Sequence, residues 1–170
     1  MSRPFIAIIP QSINDGDKVL LKGLVKDNAN EFSINFATGT GPNPEDIAYH
    51  FKTIFPENIV VENSKRNGDW MDEQIKEWPA SDGPLKVHLA LNYSHFPNNK
   101  DNPKSSSISG PGFALEFAFT SGYVYTYLVE DEHSRNLISF YEHDYDLNEI
   151  NSVQVWGDVE KIQELTFRYS

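Results

Sequence analysis

Short stretches in which apolar and polar residues alternate recur along most of this chain, with turn-forming residues between them. Residues 31–37, 85–91 and 113–119 are three of the clearest examples. Side chains on a β-strand point alternately to the two faces of a sheet, so each stretch predicts a half-buried strand. About a dozen candidate strands arise in this way, and no segment keeps a helical period for long. The pattern predicts an all-β fold in which two antiparallel sheets pack as a β-sandwich.

One segment lacks this alternation. Residues 94–112 are rich in Asn, Pro, Ser, Lys and Gly, and Phe96 and Ile108 are almost their only apolar members. Such a composition is typical of a surface loop, and a loop of this length indicates an insertion or a binding loop. A chain of 170 residues can bury a core without disulfides. We therefore predict a single domain over residues 1–170 with an insertion at about 94–112.

Composition excludes several classes of function. The chain has no cysteine, which rules out disulfides and cysteine-ligated metal sites. Its net charge of −11 repels phosphate groups, so we expect neither nucleic-acid binding nor docking on an anionic membrane. The apolar run at residues 5–9 is too short for a signal peptide or a membrane span. We expect a soluble protein made in the cytoplasm.

Residues 47–74 are the most informative stretch. They predict three short antiparallel strands joined by two tight turns. Alternation along the first strand places Tyr49 and Phe51 on one face of the sheet. The opposite face carries His50, Lys52 and Ile54.

Four side chains of this unit are predicted to meet on its exposed face: His50, Asn63, Trp70 and Glu73. An aromatic ring covers the apolar C–H face of a sugar, and neighbouring polar groups pair with its hydroxyls. The set therefore predicts a carbohydrate site. Each residue also has a structural alternative. Trp70 could cover a sheet edge, and His50 could bond to a strand neighbour. Asn63 could stabilise its turn, and Glu73 could be a solvated strand residue or a partner of Lys52.

Three short motifs in this unit resemble those of the galectin family. Residues 50–54 read His-Phe-Lys-Thr-Ile, where the family has His-Phe-Asn-Pro-Arg. Residues 61–63 read Val-Glu-Asn, which matches the family's Val-x-Asn. Residues 70–75 read Trp-Met-Asp-Glu-Gln-Ile, where the family has Trp-Gly-x-Glu-x-Arg. Flanking segments at residues 16–23, 31–36 and 157–167 also look like family strands.

The resemblance covers most of the chain and implies a jelly-roll sandwich of the galectin or concanavalin type. It also implies metal-independent binding of β-galactosides on glycans or glycoproteins, without a cofactor. Export by a route that needs no signal peptide, and homodimer formation, are both open to such a chain. The carbohydrate-binding residues implied by the resemblance are His50, Lys52, Asn63, Trp70 and Glu73.

Three departures from the family motifs bear on specificity. Lys52 stands where the family has Asn, and Ile54 and Ile75 stand where it has Arg. Isoleucine has no hydrogen-bond donor, and each lost charge-assisted hydrogen bond costs roughly 1.5–3 kcal/mol. Two losses weaken galactoside affinity by roughly two to four decades. We expect Lys52 to compensate in part as a point charge near Glu73.

Two function hypotheses follow. The first is a galectin-like lectin domain with altered or weakened β-galactoside specificity. The second is a protein-interaction module that has lost sugar binding, because exposed Ile54 and Ile75 suit an apolar partner. Which glycan is bound remains open in the first hypothesis.

Catalysis and metal binding are not predicted. Asp72 and Glu73 are adjacent, so on a strand they point to opposite faces and cannot act as a catalytic pair. Residues 142–146 read Glu-His-Asp-Tyr-Asp, but the spacing fits a solvated acidic turn better than a metal motif. We predict packing roles for Trp78 and Trp156.

Overall fold

The computed structural model describes residues 3–78, 84–86, 89 and 112–170, and it consists of two packed antiparallel β-sheets. The prediction of an all-β sandwich is confirmed. The strands are β1 (Phe5–Ile8), β2 (Lys18–Val25), β3 (Glu31–Ala37), β4 (Ile47–Ile54), β5 (Ile59–Arg66), β6 (Asp69–Trp70), β7 (Gln74–Glu77), β8 (Gly112–Phe119), β9 (Tyr123–Val129), β10 (Arg135–Glu142), β11 (Ser152–Gly157) and β12 (Val159–Arg168).

The first sheet has seven strands in the order β1-β11-β3-β4-β5-β6, and β7 also pairs with β5. The second sheet has five strands in the order β10-β9-β8-β2-β12. Strands that are distant in sequence, such as β11 and β3, are neighbours in space. Residues far apart in the chain therefore share one surface of the seven-stranded sheet.

The core lies between the two sheets and is rich in phenylalanine. Phe36 is fully buried, and its ring packs edge-on against Phe117 and Phe119 of the facing sheet. Phe32 stacks on Phe113, with ring centroids 4.7 Å apart. These residues occupy alternate positions on their strands, as the sequence pattern predicts, so their neighbours face outward.

Two tight hairpins build the β4–β5–β6 unit. Asn58 has φ of 57° in the turn between β4 and β5. Asn67 and Gly68, with φ of 53° and 84°, form the two-residue turn between β5 and β6. Positive φ at both central residues is typical of the hairpin turn that Asn-Gly favours. This turn brings Trp70 back opposite Lys65.

The structure corrects two details of the sequence analysis. Leu85, Lys86 and Leu89 are helical, although the alternation predicts a strand there. Positions four apart share one face in a helix and in a strand, so buried Leu85 and Leu89 fit both patterns. Met71–Glu73 is irregular chain between β6 and β7, so Glu73 is not on a strand. The predicted insertion at 94–112 lies outside the described residues, apart from Gly112, which begins β8.

The acidic stretch 142–146 has structural partners. Asp146 caps a 3₁₀ helix, Leu147–Glu149, by accepting a hydrogen bond from the backbone N–H of Asn148. Asp144 forms an ion pair with Arg66 at 2.5 Å, and His143 bonds to the backbone of Thr120. Within the described residues, no helix is long and apolar enough to cross a membrane.

Candidate functional site

The outer face of the seven-stranded sheet carries a row of polar side chains. Tyr49 and Phe51 of β4 point into the core, so His50 and Lys52 point outward. The strand register places His50 directly opposite Asn35 of β3 on one side and Asn63 of β5 on the other. The predicted juxtaposition of His50 and Asn63 is therefore present in the structure.

Trp70 stands at the end of this row. Its side chain is 49% exposed, and its ring centroid lies 4.7 Å from that of His50, with the two rings inclined by 60°. The ammonium of Lys65, its cross-strand partner, lies 5.4 Å from the indole centroid. These contacts hold the ring in place, while half of its surface stays open to solvent.

His50 is held as a neutral hydrogen-bond acceptor. Its Nδ1 lies 2.5 Å from Asn35 Oδ1, and an amide oxygen accepts, so Nδ1 carries the proton. Burial, and secondarily the charge of Lys52, lowers the pKa of His50 to about 4. At neutral pH the imidazole is therefore uncharged, and its Nε2 is free to accept a hydrogen bond from a ligand hydroxyl.

Asn63 supplies the complementary donor. Its Oδ1 accepts a hydrogen bond from the backbone N–H of Ser64 at 2.8 Å. That contact identifies the amide oxygen and therefore the position of the amide nitrogen. Within the part of the chain that the structure describes, the side-chain nitrogen has no protein acceptor, so its N–H groups can donate outward.

Lys52 is engaged by a residue that the sequence analysis did not single out. Its ammonium lies 3.1 Å from the carboxylate of Glu31 on β3, and both side chains are partly exposed. The expected pairing of Lys52 with Glu73 is not what the structure shows. A partly exposed ion pair contributes little to stability, so its main consequence is to neutralise the Lys52 charge beside the site.

Glu73 stands apart from the other predicted site residues. It is exposed in the irregular segment between β6 and β7. Among the described residues, no hydrogen bond or ion pair joins it to His50, Asn63 or Trp70. The structure thus brings three of the predicted residues together and leaves Glu73 at the rim.

An aliphatic block borders the polar row. Val61 of β5 pairs with Ile75 of β7, and Ile54 of β4 pairs with Ile59 of β5, all on the outer face. Ile75 is 53% exposed. Where the family motifs place two arginines, this surface is therefore apolar.

A buried polar cluster lies directly beneath the site. Glu62 is fully buried, accepts a hydrogen bond from the Tyr49 hydroxyl at 2.5 Å, and accepts another from Gln74 Nε2 at 3.1 Å. Gln74 also donates to the backbone oxygen of Phe140 on the facing sheet. Burial raises the pKa of Glu62. The cluster ties β7, which carries Ile75, to the body of the sandwich.

Sequence reasoning missed Asn35, although its alternation with Phe36 places it on the outer face. What could not be read from sequence was the register that sets it beside His50. As for metals, the residues that the structure describes include no group of three His, Cys, Asp or Glu side chains able to hold an ion.

Comparison with known proteins identifies the family. The sequence profile of the family described as galactoside-binding lectin matches residues 4–167. Galectin-3 of Cricetulus longicaudatus is 34% identical over 83 residues, which cover 46% of this chain and 32% of that protein. The 32 kDa beta-galactoside-binding lectin of Caenorhabditis elegans is 28% identical over 117 residues, which cover 62% of this chain and 42% of that protein. The matched regions thus span less than half the length of these relatives.

Solved structures show the same fold. Sheep galectin-11, in a complex with glycerol, has a TM-score of 0.67 at 19% identity, covering 99% of each chain. The galectin LEC-6 of Caenorhabditis elegans has a TM-score of 0.67 at 18% identity, covering 99% of this chain and 93% of that one. With the profile match over nearly the whole sequence, the chain belongs to the galactoside-binding lectin family, the galectins.

Proposed function

We propose that this protein is a carbohydrate-binding lectin whose specificity for β-galactosides is altered or weakened. One observation carries the proposal: the half-exposed indole of Trp70 lies against His50, whose register partner is Asn63. The same groups are implied by the family resemblance. Binding at this site needs no metal and involves no catalysis.

The chemistry of these three groups suits a neutral sugar. The open part of the Trp70 indole can cover the apolar C–H face of a pyranose. His50 Nε2 accepts from one hydroxyl while the Asn63 amide donates to another. A donor and an acceptor at fixed positions discriminate between sugars that differ in the direction of one hydroxyl, because a mismatched hydroxyl leaves a polar group unpaired.

The altered specificity follows from the neighbouring residues. Ile54 and Ile75 cannot donate the hydrogen bonds that arginines would supply, and Lys52 is paired with Glu31. A galactoside bound here therefore has fewer charged contacts than the family motifs provide. We propose that simple disaccharides such as lactose bind weakly, and that the preferred glycan is read chiefly by Trp70, His50 and Asn63.

Replacing Trp70 tests the proposal. We expect Trp70→Ala to lower the affinity for galactose-containing glycans at least about tenfold, because the stacking surface is removed. The measurement is a glycan array, followed by calorimetric titration of the glycan that binds best. Phe140→Ala is the matched control, since Phe140 is 54% exposed but lies on the five-stranded sheet. Equal binding by wild type and Trp70→Ala would contradict the proposal.

The pH dependence of binding tests the role of His50. Because the pKa of His50 is about 4, its Nε2 stays an acceptor from neutral pH downward until the pH approaches that value. We expect affinity to hold steady between about pH 8 and pH 5 and to fall as Nε2 becomes protonated. His50→Asn should remove this fall in affinity at low pH, whereas Glu73→Gln should keep it. A midpoint near the ordinary histidine pKa would show that burial and the charge of Lys52 do not hold the ring neutral.

The aliphatic block favours a second candidate function, a protein-interaction module on the same scaffold. Four branched side chains on one outer surface suit an apolar protein partner. The two candidate functions differ in whether free glycan competes with binding of a protein partner. Binding to a protein that survives excess free glycan but is lost in Ile75→Asp would favour the second candidate over the first.

A further inference from the structure

Charged side chains gather on the outer face of the five-stranded sheet, on the opposite side of the sandwich from the proposed sugar site. Val19 and Phe117 are buried in the core, so their neighbours Lys18 and Glu116 point outward. The strand register sets Arg168 of β12 opposite Lys18 of β2. Glu116 lies on β8, which pairs with the other side of β2. Residues from three strands therefore share one charged cluster.

Glu116 holds two guanidinium groups at the centre of this cluster. Its carboxylate is buried, and its Oε1 accepts a hydrogen bond from Arg135 of β10. Its Oε2 lies 3.9 Å from Arg168 Nη1. The guanidinium carbon of Arg135 also lies 4.1 Å from the ring centroid of Tyr127, which fixes the side chain further. Both arginines stay partly exposed, and each guanidinium has several N–H donors, so donors remain available to a ligand.

Positive charge exceeds negative charge around Glu116. Arg135 and Arg168 share its one carboxylate. Among the residues that the structure describes, no hydrogen bond or ion pair engages the ammonium of neighbouring Lys18. The next carboxylate on this face, Glu164, lies 3.1 Å from the ammonium of its own partner, a lysine on β2. The cluster is therefore locally cationic, although the whole chain is acidic.

A cavity of about 540 Å³ opens over the cluster, and Lys18, Glu116, Arg135 and Arg168 line it. The loop between β9 and β10 forms one of its walls. The carboxylate of Asp131 in this loop is engaged locally, because its Oδ1 accepts two backbone N–H groups of the loop at 2.7 Å. A cavity of this volume can hold a small molecule.

The net charge of the protein limits the size of an anion that can bind here. Charges further apart than about 10 Å are largely screened at 0.1 M salt, so a small anion inside the cavity interacts mainly with the local cations. A long polyanion would also contact the acidic remainder of the surface, which repels it. The cluster therefore suits a compact oxyanion and not a nucleic acid.

We propose that this cavity binds inorganic hydrogenphosphate. Arg135, Arg168 and Lys18 pair with its unprotonated oxygens, since guanidinium and ammonium groups form charge-assisted hydrogen bonds with phosphate. Glu116 accepts a hydrogen bond from its P–OH group. Sulfate has the same shape and charge but carries no proton at neutral pH, so it would meet the Glu116 carboxylate with repulsion and no hydrogen bond. The cavity therefore selects phosphate over sulfate.

Calorimetric titration of inorganic phosphate and inorganic sulfate, at neutral pH and constant ionic strength, tests the inference. We expect wild type to bind phosphate at least about tenfold more tightly than sulfate. Arg168→Gln should weaken phosphate binding about tenfold or more, because it removes a charged donor. Lys161→Gln is the matched control, since Lys161 is exposed on the same strand but does not line the cavity. Glu116→Gln replaces the carboxylate with an amide, so sulfate should then bind as tightly as phosphate.

Three results would overturn the inference. The first is a wild-type protein that binds neither anion, or binds both with equal affinity. The second is an equal loss of phosphate affinity in Arg168→Gln and Lys161→Gln, because general surface charge would then explain the binding. The third is a Glu116→Gln variant that keeps the wild-type preference for phosphate. Thermal unfolding checks that each variant is folded, and Lys18→Gln, which should also weaken phosphate binding, replaces Glu116→Gln if that variant does not fold. The proposed sugar binding stands in every case, because the cluster lies on the other sheet.

Discussion

Replacing Ile54 and Ile75 together with arginine is expected to raise the affinity for lactose about 100-fold or more. Both side chains lie on the outer face, and Ile75 is half-exposed, so a guanidinium can reach the groove without entering the core. Ile54 also lies directly opposite Glu31, whose carboxylate can orient a guanidinium at position 54. Each arginine restores charge-assisted hydrogen bonds to sugar hydroxyls.

Calorimetric titration of lactose into wild type and the double variant measures the gain. The lysine pair, Ile54→Lys with Ile75→Lys, is the matched control, because it adds the same charge without the planar guanidinium. We expect the lysine pair to gain much less. No gain in the arginine pair would mean that the exposed placement of Glu73, or other groups around the groove, also limits galactoside binding.

The second large effect concerns stability. Glu62→Ala is expected to lower the free energy of unfolding by about 3–4 kcal/mol, because it leaves a cavity and removes a partner from Tyr49 and Gln74. Loosening Gln74 would also loosen β7, on which Ile75 lies. Urea denaturation followed by tryptophan fluorescence measures the loss. A decrease in the free energy of unfolding of less than about 1 kcal/mol would show that the buried cluster does not hold β7 against the sandwich.

Glu62→Gln separates the charge from the hydrogen bonds. Burial raises the pKa of Glu62 in the folded protein, so folding favours the protonated carboxyl. Its contribution to stability is therefore full at acidic pH and declines as the pH rises through the raised pKa. We expect the glutamine variant, which cannot ionise, to lack that decline. A wild-type protein whose stability rises across the same range relative to the variant would contradict the assignment.

Much of the fold follows from local patterns in the sequence. The alternation of Tyr49 and Phe51 with His50 and Lys52 predicts which side chains face the core, and the structure agrees. The Asn67–Gly68 pair predicts the hairpin that returns Trp70 to the sheet. These features depend on neighbours in sequence, where side-chain direction and turn chemistry decide the outcome.

The parts that sequence could not supply depend on contacts between distant strands. Glu31 and Asn35 lie beside Lys52 and His50 only because β3 pairs with β4 in one register. Trp156 joins the outer face only because β11, near the end of the chain, inserts between β1 and β3. Alternation assigns a face to a residue, but it does not say which strands are neighbours.

The central claim is that the face bearing His50, Asn63 and Trp70 binds glycan, and NMR of the three tryptophan indole N–H groups tests it most directly. On titration with N-acetyllactosamine oligosaccharide, we predict a large shift of the Trp70 signal and little change for Trp78, which is buried. A saturating glycan that leaves the Trp70 signal in place while it shifts residues of the five-stranded sheet would contradict the account.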